Sequence, residues 1–182
     1  MKEIGKKVLI YGYGNPGRLD DGLGPLFAEE IEKLHPEGVT VDSNYQLAVE
    51  DSAEIAEHDF VVFVDASVSG TEPFSFERVI PRNHTSFSSH SISADALTAM
   101  AADLFSSKAE AYMLGIRGYE FNGYDERISS KAMKNLDEAL VFMMQMLKNR
   151  DFAKYVSLNE TLSGRNKLLS NRKTEMRKSY ER

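Results

Sequence analysis

Two adjacent carboxylates, Asp20 and Asp21, stand near the end of a glycine-rich stretch that runs from Gly12 to Gly24. The stretch follows the apolar run Val8-Leu9-Ile10-Tyr11 and precedes an amphipathic run from Pro25. It reads as the turn from a first strand into a first helix, the edge at which open α/β sheets bind ligands. One aspartate can serve there as an N-cap; the second exceeds that need. Two more residues occupy comparable places. Asp65 ends the apolar run from Phe60, and His90 lies in a Ser- and Thr-rich loop ahead of a helix from Ile92. With strands one and three as parallel neighbours, Asp21, Asp65 and His90 share one edge of a sheet. Two carboxylates and an imidazole suit zinc, nickel or iron, whereas an all-oxygen set suits magnesium or calcium. Three protein ligands leave positions open for water or a substrate group. Each residue also has a purely structural reading: Asp21 as a helix cap in the helix dipole, Asp65 as acceptor for the amides of the Ser67–Gly70 loop, and His90 as a surface residue.

Other chemistries fit less well. Gly12, Gly14 and Gly17 match the G-x-G-x-x-G dinucleotide fingerprint after a strand. Asp20 and Asp21 follow directly, and their charge would repel a pyrophosphate. There is no cysteine and no G-x-S-x-G turn, so a thiol or elbow-serine nucleophile is missing. His35, His58 and His84 sit at a helix end, before a strand and in a polar loop. Met143, Met144 and Met146 read as core filling rather than a soft metal site.

The elements that must position these residues follow from periodicity. Strands are expected over Lys7–Tyr13, Val39–Asn44, Phe60–Asp65, Phe74–Ile80 and Ala111–Ile116, with Phe60–Asp65 apolar throughout and therefore central. Phe74–Ile80, flanked by Pro73 and Pro81, suits an edge. Helices are expected over Pro25–Leu34, Val49–Glu57, Ile92–Leu104 with Ser91 or Ser93 as cap, and Ile128–Lys148. The last carries Ala132, Leu136, Leu140, Met143 and Leu147 along one stripe. This alternation predicts an α/β fold, a three-layer α/β/α sandwich around a mostly parallel, twisted five-stranded sheet with right-handed crossovers.

The chain of 182 residues, 42% hydrophobic and 27% charged, is long enough for one domain with a substantial core. Its net charge of -6 is unevenly spread. Residues 1–147 carry 12 Lys and Arg against 24 Asp and Glu, while residues 148–182 carry 10 against 4. An acidic body with a basic tail argues against nucleic acid as a partner. We therefore expect a domain over 1–148 and a basic extension over 149–182, helical or mobile, in which Leu158, Leu162, Leu168 and Leu169 suit a weak amphipathic helix. No apolar run spans a bilayer and the amino terminus lacks a signal-peptide core, so a cytoplasmic location without membrane partners is expected.

Taken together, the motifs resemble those of the hydrogenase maturation proteases. The likeness rests on Gly12-Tyr13-Gly14-Asn15-Pro16 to Asp20-Asp21-Gly22-Leu23-Gly24, on Val64-Asp65-Ala66 with Gly70 and Pro73, and on Ser88-Ser89-His90-Ser91-Ile92 before a helix with Leu97. Leu114-Gly115-Ile116 and Ile128-Ser129 add a looser match, so that residues 7–147 are covered. The resemblance implies an endopeptidase that removes the C-terminal extension of a nickel–iron hydrogenase large-subunit precursor. It implies that Asp21, Asp65 and His90 contact nickel already placed in the substrate rather than held permanently by the protease. Gln46-Leu47 is similar to the subgroup acting on bidirectional-type hydrogenases. An incomplete site without thiolates agrees with a checkpoint in which binding depends on the metal. Nickel would act as Lewis acid, or only position the substrate while Asp65 or Asp20 serves as general base. A chaperone-like module that recognises a metal-loaded partner without cutting it would need the same three ligands.

Overall fold

The computed structural model describes residues 5–82 and 92–156. Five strands form one sheet: β1 (Val8–Tyr13), β2 (Val39–Asn44), β3 (Phe60–Ser67), β4 (Phe74–Arg78) and β5 (Glu110–Arg117), in the order β2-β1-β3-β5-β4. All neighbours are parallel except β4, which runs antiparallel to β5 at the edge. Among the described residues the sheet is covered by α1 (Leu23–Lys33), α2 (Asp51–Ala56), α3 (Ala94–Phe105) and α4 (Ser130–Asn149), and residues 152–156 are helical as well. The expected sandwich and edge strand are thus present, with boundaries displaced by a few residues.

β3 is buried on both faces, which is why its sequence shows no alternation. Val62 and Val64 face a core shared with Phe27 and Ile31 of α1 and with Leu136 and Met143 of α4. Val61 and Phe63 face a second core with Ile55 of α2 and Leu97 of α3. Of the methionines, Met143 and Met146 are buried and Met144 packs against the same cluster, so they fill core. The folded body continues past α4. Phe152 is buried, stacked on Phe60 and Tyr112 at 4.5 and 5.3 Å, and Tyr155 meets the edge of Phe142. The first residues of the extension therefore belong to the core, whereas Leu158, Leu162, Leu168 and Leu169 lie outside the described residues.

From β1 the chain goes outward to β2, then returns across β1 to β3 on its other side. The carboxyl ends of β1 and β3 consequently diverge at a topological switch point. Such a point, flanked by the loop after β1 and the loop after β3, is where open α/β sheets bind ligands.

Candidate active site at the switch point

The loop after β1 is built by its own backbone. Asn15 Oδ1 accepts from the Gly17 amide at 2.9 Å, and Arg18 donates to the Asn15 carbonyl at 3.0 Å. A short 3-10 turn over Leu19–Gly22 then delivers the chain into α1. Gly14, at φ 137°, occupies a conformation that side chains rarely adopt, and a Cβ there would strike the Asp21 carbonyl. Gly24, inside α1, lies so close to β1 and β3 that a Cβ would strike the carbonyls of Tyr13 and Val64. The glycines thus seat the helix on the strands.

Neither aspartate caps α1; its N-cap is Gly22, without a side-chain hydrogen bond. Asp20 turns inward and is fully buried. Its Oδ2 accepts from the amides of Tyr119 and Glu120 at 2.7 and 2.9 Å and from the Ser129 hydroxyl at 2.8 Å, and its Oδ1 accepts from the Ser129 amide at 2.7 Å. Burial by itself would raise its pKa; the Ser129, Tyr119 and Glu120 hydrogen bonds outweigh that and hold the carboxyl below its ordinary range. Ser129 is the N-cap of α4, where its Oγ accepts from Ala132. Asp20 therefore ties the loop after β1 to the 117–129 loop and the head of α4. Fully buried and accepting four hydrogen bonds, it has a structural task and is poorly placed to serve as a general base.

Asp21 points the other way. Its Oδ2 accepts from the Asn15 amide at 3.0 Å and the residue is half-buried. Asp65, at the carboxyl end of β3, has the parity of Val61 and Phe63 and so projects on the α2/α3 side. Its Oδ1 accepts from the Ala66 amide at 2.7 Å. The Ser67–Gly70 amides do not serve it: the Gly70 amide donates to Ser67 Oγ instead. Burial is the main cause that pushes the Asp65 carboxyl up to about 6, with the nearby Asp21 charge adding to it, against the Ala66 amide and the Tyr13 hydroxyl. Tyr13, at the end of β1, is itself pushed up by burial and by the Asp65 charge beside it. Two carboxylates and a phenol thus come together at the switch point.

No protein-family model and no curated protein matches the chain. Solved structures do. The NiFe hydrogenase maturation protease HycI from Thermococcus kodakarensis superposes with a TM-score of 0.64 at 24% identity, over 79% of this chain and 94% of that one. The hydrogenase 2 maturation peptidase from a Thaumarchaeota archaeon gives 0.57 at 17%, over 79% and 99%. HybD from Escherichia coli gives 0.57 at 15%, over 80% and 94%. The chain has the hydrogenase maturation protease fold.

Within this fold the structure brings Asp21 and Asp65 together. His90, and His84 with it, lies outside the described residues. Among the described residues no group of three or more His, Asp or Glu side chains could hold a metal ion. His58 is occupied elsewhere, with Nδ1 at 2.8 Å from the Glu54 carbonyl and Nε2 at 2.8 Å from Thr40 Oγ1. Three participants escaped the sequence reading: Tyr13, the Asn15 amide and Ser129. Tyr13 was legible in principle, as the hydroxyl-bearing residue at the end of the strand beside β3. The Asn15 amide and the Asp20–Ser129 tie, which spans 109 positions, leave no signal in residue types.

Proposed function

We propose that the chain is an endopeptidase that removes the C-terminal extension of a nickel–iron hydrogenase large subunit, and that Asp21, Asp65 and His90 contact nickel carried in by the substrate. The observation that carries this reading is the Asp21–Asp65 pair at the switch point of a fold shared with structures titled maturation proteases. Two half-buried carboxylates that repel each other form an arrangement that a divalent cation relieves. The third ligand rests on sequence position. Ile92, two residues beyond His90, packs against the same cluster as Tyr13, and Ala94 opens α3 within it.

The chemistry divides among the chain's own groups as follows. Asp21 is held in orientation by the Asn15 amide. Asp65 has one oxygen held by the Ala66 amide, while the Tyr13 hydroxyl, near the carboxylate, donates to Met113 Sδ at 4.0 Å. A carboxylate at Asp65 is placed to accept the proton of a water that attacks the scissile carbonyl. Nickel bound to substrate thiolates supplies positive charge that fixes the substrate against the pair and ties cutting to metal loading. A cytoplasmic location accompanies this reading; among the described residues no helix is long and apolar enough to cross a membrane.

The deciding experiment incubates the purified chain with a nickel-loaded precursor and follows the mass of the large subunit. Loss of the C-terminal extension supports the proposal, and stable binding without mass loss supports a non-proteolytic module. Asp21→Ala, Asp65→Ala and His90→Ala should each abolish processing. Full activity in the His90 variant removes it from the site, and equal cutting of nickel-free precursor overturns the checkpoint.

A further inference from the structure

At the edge of the sheet away from Asp21 and Asp65, a cavity of about 850 Å³ opens between the residues that lead into β1 and β2 and the carboxyl end of α4. Its volume is that of a small-molecule site. Met144 and Leu147 of α4 give it an apolar wall. Among the described residues that line it, Lys6, Lys7, Lys148 and Arg150 are cationic and Glu37 alone is acidic. Over residues 1–147 acids outnumber bases two to one, so this lining reverses the character of the body around it.

Arg150 is the unusual member. It closes α4 in the left-handed conformation, at φ 54°, a place that glycine fills most readily. An arginine is strained there, so the position turns on its side chain. Nη2 donates to the Glu37 carbonyl. Nη1 is buried and, among the described residues, has no hydrogen-bond partner. A buried charged donor without an acceptor is unfavourable until something supplies one. Burial lowers the Arg150 pKa, with the Glu37 charge acting against it, and no carboxylate among the described residues forms an ion pair with the guanidinium. The cavity thus holds a cation that lacks its counter-charge, beside an apolar wall.

We propose that this cavity binds a small phosphomonoester, with its phosphate on Arg150, Lys7 and Lys148 and its organic part against Met144 and Leu147. A phosphate carries close to two charges and three strong acceptor oxygens, enough to meet a guanidinium fork and two ammonium groups at once. Nη1 reaches it by a small rotation of the guanidinium into the cavity that it lines. The site is independent of the endopeptidase reading. The length of β1, roughly 20 Å at the usual rise of a strand, separates it from the carboxylate pair.

Calorimetric titration of phenyl phosphate into the full chain tests this, with phenol and inorganic phosphate representing the ring and the head alone. Phenyl phosphate should bind once per chain and raise the melting temperature as its concentration rises. Phenol should not bind, and inorganic phosphate should bind more weakly. Arg150→Gly, which also relieves the left-handed backbone, should weaken phenyl phosphate by about tenfold or more, as loss of charge-assisted hydrogen bonds does. Arg150→Lys should recover part of that loss. Lys7 and Lys148 are exposed, so Lys7→Gln with Lys148→Gln should keep the fold and weaken binding by about fivefold. Absence of saturable binding overturns the proposal, as does undiminished binding to Arg150→Gly and to the lysine pair. Inorganic phosphate that binds as tightly as phenyl phosphate overturns the organic ligand. Phenyl phosphate that binds only after Glu3→Gln also overturns it, because the chain's own carboxylate ahead of Gly5 would then be the occupant.

Discussion

Asp20 and Asp21 are consecutive, chemically identical and oppositely employed. Asp20 accepts four hydrogen bonds in a fully buried position, and Asp21 accepts one beside a second carboxylate. Asp20 and Asp65 should accordingly give opposite pH signatures. Asp65 ionises near 6 in the folded chain against an ordinary value of 3.8, so its burial costs stability once the pH rises through that window. Asp65→Asn removes the cost. Urea unfolding of the metal-free protein should show a gain of up to about 3 kcal/mol at alkaline pH, at 1.36 kcal/mol per pKa unit, and none at pH below the ordinary carboxylate value. Asp20 is shifted the other way. Its contribution is present above the ordinary carboxylate pKa and lost as pH falls through its lowered folded-state value. Asp20→Asn sets an amide NH2 against donors and should cost about 2–4 kcal/mol at neutral pH, with a shallower loss on acidification than the parent. Equal behaviour of the two variants would mean that the two carboxyls do not differ in environment.

At the scale of elements, the site depends on how closely α1 lies on the sheet. An alanine suits a helix interior better than glycine by about 1 kcal/mol. At Gly24 a Cβ would meet the backbone carbonyls of β1 and β3, which cannot move aside as a side-chain end can. Gly24→Ala should therefore destabilise by about 2 kcal/mol, as overpacking does. It should also reduce processing, because Asp21 rides on the turn that the helix pulls away. Gly5, with nothing within 4 Å of its Cβ position, is the control and should be neutral in the same melts. This dependence explains what the sequence shows and what it hides. The sheet, its central strand and its edge strand are legible because apolar runs and alternation are local consequences of burial. The place of Asp21 and Asp65 is legible because strand ends fall at the sheet edge whenever the strands are parallel. The division of labour between Asp20 and Asp21 is not, since it follows from which of two neighbours the 3-10 turn rotates toward the 117–129 loop. The start of α1 is hidden for the same reason: periodicity points to Pro25, and the buried Leu23–Gly24 step is visible only against the strands.

At the scale of the whole molecule, the two edges of the sheet carry different burdens. The carboxyl edge of β1 and β3 gathers carboxylates that repel each other, a feature that costs stability. The other edge is closed by aromatic packing. Phe152, beyond the end of α4, stacks on Phe60 at the start of β3 and on Tyr112 of β5, while Arg150 Nη2 donates to the Glu37 carbonyl at 2.5 Å. A domain ending at residue 148 would lack this closure, so the segment that follows α4 has a structural task whatever the basic tail does. Phe152→Ala should cost about 3–5 kcal/mol, the range for emptying a buried aromatic site. Urea denaturation measures it, and a loss below about 1 kcal/mol, the size of an ordinary surface effect, would place Phe152 outside the core. The same variant distinguishes the edges functionally. Phe152 touches neither carboxylate, so below its lowered melting point the variant should process precursor with the parent's kcat and KM. A changed KM in a folded Phe152 variant would instead mean that the two edges are coupled through β3, the strand that carries Phe60 at one end and Asp65 near the other.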